Sequence, residues 1–115
     1  MKYSKKQAVI VKPNPNTIVY SYPSDVESLS IAHIKVNGRH PDKKNQYFIE
    51  KVCDVLIYII KGSCKVTIND KVFELRPGDT ITIGKNKKYS LEGKTEYLAA
   101  TSPTYFSEQN LIIPG

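Results

Sequence analysis

The sequence has 115 residues, 40% of them hydrophobic and 24% charged, which fits one globular domain with a modest core and leaves no room for a second fold. Fifteen lysines and two arginines give a net charge of +6; because bidentate recognition of guanine or phosphate favours arginine, this balance argues against a nucleic-acid partner. The longest apolar run, Val55–Ile60, ends at Lys61 and is too short to span a membrane.

Short segments rich in Val, Ile, Thr and Tyr predict β-strands, and no segment keeps a helical period long enough to predict a helix. In chain order the predicted strands are Ala8–Val11, Thr17–Tyr22, Leu29–Val36, Tyr47–Glu50, Val55–Ile60, Lys65–Ile68, Val72–Leu75, Thr80–Ile83, Tyr89–Leu91 and Glu96–Thr101. Turn residues separate them, including Asn37-Gly38, Lys61-Gly62, Pro77-Gly78 and Glu92-Gly93. This spacing predicts an all-β sandwich or barrel, with 37–46 as an exposed rim loop.

The two cysteines, Cys53 and Cys64, are predicted to be free thiols. If Lys61-Gly62 turns a hairpin, Cys53 lies roughly 20 Å from the position opposite Cys64, at about 3.3 Å per residue. A disulfide requires Cα atoms within about 7 Å. Free thiols are typical of a reducing compartment, and the apolar stretch Ala8–Val11 is too short for a secretory signal. We therefore expect an intracellular, cytoplasmic protein.

The stretch from Tyr58 to Asp79 resembles the central part of a cupin. In that family a tyrosine-containing strand ends at a glycine turn, a hairpin follows, and a second motif opens with Pro-Gly-Asp; Gly62 and Pro77-Gly78-Asp79 match this order. The resemblance covers about residues 28 to 110. It implies an all-β, cupin-type antiparallel jelly-roll β-barrel as one domain over residues 1–115, with residues 1–12 as an N-terminal arm. It also implies a homodimer, in which the N-terminal strand covers a sheet edge.

The sequence departs from the cupin pattern at the positions where that family holds a metal ion. Counted from Gly62 and Gly78, the four ligand positions fall on Ile49, Lys51, Val55 and Tyr89, or on Phe48 and Glu50 for the first two if the gap is one residue longer. Neither set restores three histidines and one carboxylate. We therefore predict a degenerate site with no metal and no cofactor.

Alternation along the predicted strands indicates an aliphatic cavity. Val55, Ile57 and Ile59 share one face of their strand, and Leu56, Tyr58 and Ile60 share the other. An apolar cavity with a few polar groups is the usual form of a small-molecule site. The predicted ligand-binding residues are Tyr47, Ile49, Lys51, Val55, Ile57 and Tyr89. The ammonium group of Lys51 is suited to a carboxylate or phosphate, so anionic and sugar-derived molecules are among the candidate ligands.

His33 is in phase with Leu29 and Ile31 and is a candidate to face the cavity, although a lone histidine in a strand is more often structural. In metal-free sugar-nucleotide epimerases and ketoisomerases of this superfold a cavity histidine is the base. The resemblance therefore implies a catalytic interpretation with His33 as base and Tyr89 as acid. The alternative for Tyr89 is a core aromatic that fills the space of the missing metal. His40 is expected to be exposed in the rim loop.

Three functions follow from these residues. The first is metal-independent binding of a small organic ligand in the barrel, with catalysis left open. The second is a metal-free isomerase or epimerase acting on a sugar phosphate or nucleotide sugar. The third is a metal-dependent cupin with unusual ligands, for which the available side chains are His33, His40, Glu50 and Cys53.

Overall fold

Strands make up most of the protein, which we describe from a computed structural model of residues 1–115. The strands are β1 (Val9–Asn14), β2 (Thr17–Ser21), β3 (Ser30–His40), β4 (Gln46–Glu50), β5 (Asp54–Ile68), β6 (Lys71–Leu75), β7 (Thr80–Ile83), β8 (Tyr89–Ser102) and β9 (Asn110–Pro114). The only helices are two single 3-10 turns, Lys5–Gln7 and Ser107–Gln109. The predicted all-β class is confirmed. Neither turn approaches the length that a membrane-spanning helix needs.

Strand β8 is the centre of one curled antiparallel sheet. It pairs with β3 on one side and with β5 on the other, over almost its whole length. Strands β2 and β1 extend the sheet beyond β3, and β6 and β7 pair with opposite halves of β5. At the start of β8, Tyr89 pairs with Phe48 of β4, and β4 in turn pairs with β9. The sheet therefore curls around a single interior.

Two predicted turns lie within strands instead of ending them. Gly62 has φ 76° in β5, and Gly93 has φ 151° in β8. A Cβ atom on Gly62 would overlap the carbonyl oxygen of Lys94, and one on Gly93 would overlap the carbonyl oxygen of Ser63. Glycine at both positions lets the paired strands bend together at close range. The predicted strand ends at Lys61-Gly62 and Glu92-Gly93 were therefore wrong.

Strand β3 likewise continues through the predicted turn Asn37-Gly38. Gly38, at φ 125°, pairs with Gly93, and the strand runs on to His40. The rim loop before β4 is therefore only residues 41–45. The prediction of an exposed His40 in that loop was wrong, because the residue is half-buried at the end of a strand.

The core is aliphatic and lies inside the curl. Along β5 the residues Val55, Ile57 and Ile59 are at most 5% exposed, whereas Leu56, Tyr58 and Ile60 are 41–46% exposed. The predicted alternation of this strand is confirmed. Side chains from other strands fill the interior, including Val66, Ile83, Leu91 and Tyr97. Cys53 and Cys64 are both buried and free, as predicted.

Candidate functional site

A buried carboxylate, Glu50, interrupts the apolar interior near the start of β8. Strand β4 carries it inward, because Phe48 and Glu50 occupy the inward positions and are 5% and 2% exposed. The hydroxyl of Tyr89 donates to Oε2 of Glu50, and the side-chain amide of Gln109 donates to Oε1. The Asn110 amide donates to Oε2 at 3.1 Å. We call Glu50, Tyr89, Gln109 and Asn110 the Glu50 cluster.

Hydrogen bonds around Gln109 set the direction of donation in the Glu50 cluster. The backbone N–H groups of Val52 and Cys53 donate to Oε1 of Gln109, at 3.2 and 3.1 Å. The Gln109 NH₂ group is therefore the one that faces Glu50. Both carboxylate oxygens of Glu50 consequently accept hydrogen bonds from neutral donors. Such donors are the partners that a buried carboxylate requires in place of water.

The acid groups of the cluster hold their protons more tightly than they would in water. Burial raises the pKa of Glu50, and hydrogen bonds from Tyr89 and Gln109 act against that rise. Burial also raises the pKa of Tyr89 well above its usual value, and the neighbouring Glu50 carboxylate raises it further. Tyr89 is therefore a neutral phenol at physiological pH. A buried phenol bonded to a carboxylate is a pair through which a proton can be delivered or accepted.

His40 reaches the same end of the barrel from β3. Its ring centroid lies 4.5 Å from that of Phe48, whose centroid lies 5.5 Å from that of Tyr89. Burial lowers the pKa of His40 to about 4, and Asp42 in the following loop only partly opposes this. His40 is therefore a neutral imidazole at physiological pH.

The β1–β2 turn supplies the hydrogen-bond partners of His40. Asn14 Nδ2 lies 2.9 Å from Nδ1 of His40, and the Thr17 hydroxyl lies 3.1 Å from the same nitrogen. The backbone N–H of Asn16 donates to Oδ1 of Asn14 at 3.0 Å, which turns the Asn14 NH₂ group toward the imidazole. His40 Nε2 has no partner within the protein and is not fully buried.

The inward face of the sheet opens to solvent beside these side chains, on strand β9. Ile112 pairs directly with Phe48 and so shares its face, but Ile112 is 55% exposed. Tyr105, 41% exposed, borders the Glu50 cluster: burial and the Glu50 carboxylate raise its pKa to about 12. We call the region formed by His40, Phe48, Glu50, Tyr89 and Ile112 the interior site.

Three of the predicted ligand-binding residues face the interior, and three do not. Val55, Ile57 and Tyr89 are inward and buried. The other three, Tyr47, Ile49 and Lys51, alternate with the inward residues. The structure follows the alignment with the longer gap, in which Phe48 and Glu50 are the inward residues. A shift of one residue moves every side chain to the opposite face of a strand. The inward orientation predicted for these three was wrong, and their role in ligand binding stays a prediction.

On the outer face of β4, Tyr47 makes contacts with positively charged side chains. Two cations lie near its ring: the Arg39 guanidinium is 5.1 Å and the Lys88 ammonium 4.8 Å from the ring centroid. Lys51 is exposed at the end of the strand. This outer face is therefore a solvated surface with cation–π contacts.

His33 lies on the outer face of the sheet, opposite the interior site. Its Nε2 is 2.8 Å from Oε1 of Glu96, and its ring centroid is 5.7 Å from that of Tyr20. The next residue, Ile34, is the one that enters the core. His33 and Tyr89 are thus on opposite sides of the sheet, which contradicts their predicted pairing as base and acid of one site.

A solvent-open groove of about 580 Å³ lies away from the interior site, at the bend of β5 and β8. Its lining includes Lys35, Lys61, Lys94 and Glu96. Lys35 and Glu96 lie 3.7 Å apart. The groove has the exposed charges of an ordinary basic surface, so we place the candidate site inside the barrel, where the buried polar groups converge.

Comparison with known proteins identifies the family. Residues 33–96, more than half of the chain, match the AraC-like ligand binding domain. The chain belongs to this family. No protein of curated function matches the sequence of this AraC-like domain significantly.

Solved structures confirm the predicted cupin fold of this AraC-like domain. Streptomyces Pac13, described as a nucleoside dehydratase and solved with uridine, superposes with a TM-score of 0.87 at 16% identity over 99% of this chain and 90% of its own. KdgF from Halomonas sp. gives 0.74 at 14% identity, over 92% and 96% of the two chains. Bacillus subtilis oxalate decarboxylase gives 0.79 at 14% identity, over 96% of this chain and 32% of its own. At these identities the likeness shows the fold alone.

The positions that the cupin resemblance assigns to the metal ligands hold few ligand atoms in this AraC-like domain. The inward residues there are Phe48, Glu50, Val55 and Tyr89. Phenylalanine and valine offer no ligand atom, the Tyr89 phenol is neutral, and the Glu50 oxygens already accept hydrogen bonds. No three His, Cys, Asp or Glu side chains form a group that could hold a metal; His33, on the outer face, lies apart from Glu50. Imidazole, thiolate and carboxylate are the common protein ligands of transition metals.

Sequence reasoning missed Gln109 and Asn110 as parts of the site. They belong to the C-terminal segment, far from Glu50 in sequence, and meet it only because β9 pairs with β4. No local pattern marks such a contact. For His40 a signal existed, since it continues the inward phase of Ile34 and Val36 along β3, but the turn signal at Asn37-Gly38 outweighed it.

Proposed function

We propose that this AraC-like domain binds a small organic molecule at the interior site without a metal ion. The observation that carries the proposal is the convergence of His40, Glu50 and Tyr89 inside an aliphatic barrel, at the end where the inward face of β9 opens to solvent. Buried polar groups cost folding free energy that an apolar core would not. Their presence beside an opening therefore supports a binding role.

The surroundings favour a ligand with a flat or apolar part and oxygen-containing groups. Phe48 and Ile112 offer apolar surface, and Tyr105, next to Asn110 of the Glu50 cluster, offers a partly exposed aromatic ring. His40 and Tyr89 supply polar groups on the inner side. The uridine complex of Pac13, a protein of the same fold, supports a nucleoside as the first ligand class. Hydrogen bonding to a few placed polar groups in an apolar site is the usual basis of such recognition.

The proposal is tested by titrating uridine into isotope-labelled protein and following the amide signals. We expect changes confined to the residues around the interior site. Ile112→Lys, which places a long cation in the opening, should abolish them. Leu111→Lys on the opposite face of β9, where Leu111 is 43% exposed, is the matched control and should bind as the wild type does. No signal change with uridine or ribose 5-phosphate would contradict the proposal.

The metal-free part of the proposal has its own measurement. Untagged protein purified without chelators should contain no stoichiometric manganese, iron, nickel or zinc, and chelator should leave uridine binding unchanged. One metal ion per chain, lost together with binding, would contradict it.

Metal-free acid–base catalysis is the second candidate, and the Tyr89–Glu50 pair favours it. A phenol that donates to a buried carboxylate, with a neutral imidazole packed on the same Phe48 ring, has the groups needed to remove and return a proton. His33 is not part of this site. The test is incubation of nucleosides and sugar phosphates with the protein, followed by mass spectrometry for loss of water and NMR for isomerisation. Turnover that disappears in Tyr89→Phe while the fold is kept would favour an enzyme.

We also propose that the protein forms a homodimer through its exposed edge strand. Strand β1 pairs only with β2, and Val9, Ile10 and Val11 are 44–60% exposed. An unpaired apolar edge is suited to pairing with another strand. Light scattering should show a dimer that a variant lacking residues 1–12 does not form, whereas a variant lacking residues 1–4 keeps it. Unchanged association of the shorter variant would refute this interface.

A further inference from the structure

We propose that the β1–β2 turn fixes His40 as a hydrogen-bond donor toward the interior site, so that the ligand presents an acceptor oxygen to Nε2. The ligand half of this inference rests on the proposed function. The half that concerns the imidazole does not, because it can be measured in the protein alone.

The argument begins with the side-chain amide of Asn14. Its Oδ1 accepts the backbone N–H of Asn16 at 3.0 Å, and its Nδ2 lies 2.9 Å from Nδ1 of His40. An amide NH₂ group can only donate, so Nδ1 must be the acceptor. The amide of Asn16 donates to the backbone oxygen of Arg39 at 3.0 Å, which ties the same turn to the strand that carries His40.

The contact with Thr17 is compatible with this assignment. Its hydroxyl lies 3.1 Å from Nδ1 of His40 and the side chain is 1% exposed. A hydroxyl can donate to an unprotonated ring nitrogen. The one lone pair of Nδ1 accepts from Asn14 at 2.9 Å, and the Thr17 hydroxyl at 3.1 Å shares it, so the single proton of the neutral ring is on Nε2.

Nε2–H is the group left for a ligand. It has no hydrogen-bond partner in the protein and is not fully buried, while the ring packs on Phe48 within the interior site. Because a donor in a largely apolar site needs an acceptor, a carbonyl or hydroxyl oxygen satisfies it and an ammonium group does not. The ligand class is therefore one with an acceptor oxygen at this point. Asn14 is a positioning residue, since it acts on the ligand through His40.

The imidazole is tested first, in the absence of ligand. The chain has two histidines, so long-range nitrogen–proton NMR spectra resolve both rings, with His33 as internal reference. We expect His40 to carry its proton on Nε2 at pH 7. In Asn14→Asp the carboxylate accepts a hydrogen bond from Nδ1–H, so Nδ1 carries the proton and the pKa of His40 rises, while the ring signals of His33 stay unchanged. A wild-type His40 protonated on Nδ1 would overturn the inference.

The ligand half is tested with uridine as the probe. Uridine should shift the Nε2 signal of His40, and His40→Phe, which keeps an aromatic ring against Phe48, should weaken binding about tenfold, the effect of one lost hydrogen bond. His33→Phe is the matched control and should leave affinity unchanged. Uridine binding without any effect of His40→Phe would overturn the inference and leave the proposed function standing. Absence of uridine binding would contradict the nucleoside proposal. The tautomer of His40 would still be decided by the NMR spectra of the protein without ligand.

Discussion

The stability of this AraC-like domain should fall on mild acidification because of His40. In the unfolded chain the imidazole has its ordinary pKa of 6.5, whereas in the folded protein burial lowers the pKa to about 4. Between these values the unfolded state binds more protons than the native state, so stability is lost as the pH falls through this window. The loss reaches about 3 kcal/mol below pH 4, and about 2 kcal/mol of it falls between pH 7 and pH 5.

Urea denaturation at pH 7 and pH 5 measures this loss, with His40→Gln as the comparison. Glutamine can accept from Asn14 but does not titrate, so the wild type should lose about 2 kcal/mol more than the variant on acidification. The raised pKa of Glu50 acts in the opposite direction, since the native state takes up that proton first, but it is present in both proteins and cancels. If both proteins lost stability equally, within about 0.5 kcal/mol, the lowered pKa of His40 would be refuted.

Three further changes test the packing and the hydrogen bonds. Tyr89→Phe removes a donor to Glu50 and should lower the free energy of unfolding by about 1–3 kcal/mol in urea denaturation. Tyr58→Phe, at a 46% exposed site, should leave it nearly unchanged, and equal effects of the two variants would contradict the Glu50 cluster. Ile59→Ala should cost about 2–5 kcal/mol as a core cavity, and Ile60→Ala on the outer face far less. Gly62→Ala should cost more than about 1 kcal/mol from the positive φ and the contact with the facing strand; an unchanged melting temperature would contradict the bend.

The class of fold could be predicted from the sequence because strand signals are local. Alternation in Val55–Ile60 and the turn residues between segments report on neighbours in the chain. Where the prediction failed, a nonlocal cause was present. Gly62 resembles a turn residue when read alone, and only the closeness of the facing β8 backbone shows that it bends a continuous strand.

The candidate site was predictable only in part for the same reason. Tyr89 was found because the cupin resemblance locates it. The inward residues of β4 could not be chosen in the same way, because the resemblance allowed two lengths for the gap before Gly62. A difference of one residue in that gap decides whether Glu50 or Lys51 faces inward. The neutrality of His40 follows from burial, and its hydrogen-bond partner Asn14 lies 26 positions earlier in the chain. No sequence spacing predicts such a contact, because it forms only in the folded sheet.

The central position of β8 has a consequence for biosynthesis. Strands β3 and β5 both use β8 as their neighbour, so while residues up to 88 have left the ribosome, both strands have an unpaired edge. Exposed edges of apolar strands are sites of mispairing between chains. The β4–β9 pair and the donors to Glu50 arrive later still. Protection of the nascent chain, by a chaperone or by the speed of translation over the last quarter, is therefore expected to govern how much of this protein reaches its native state.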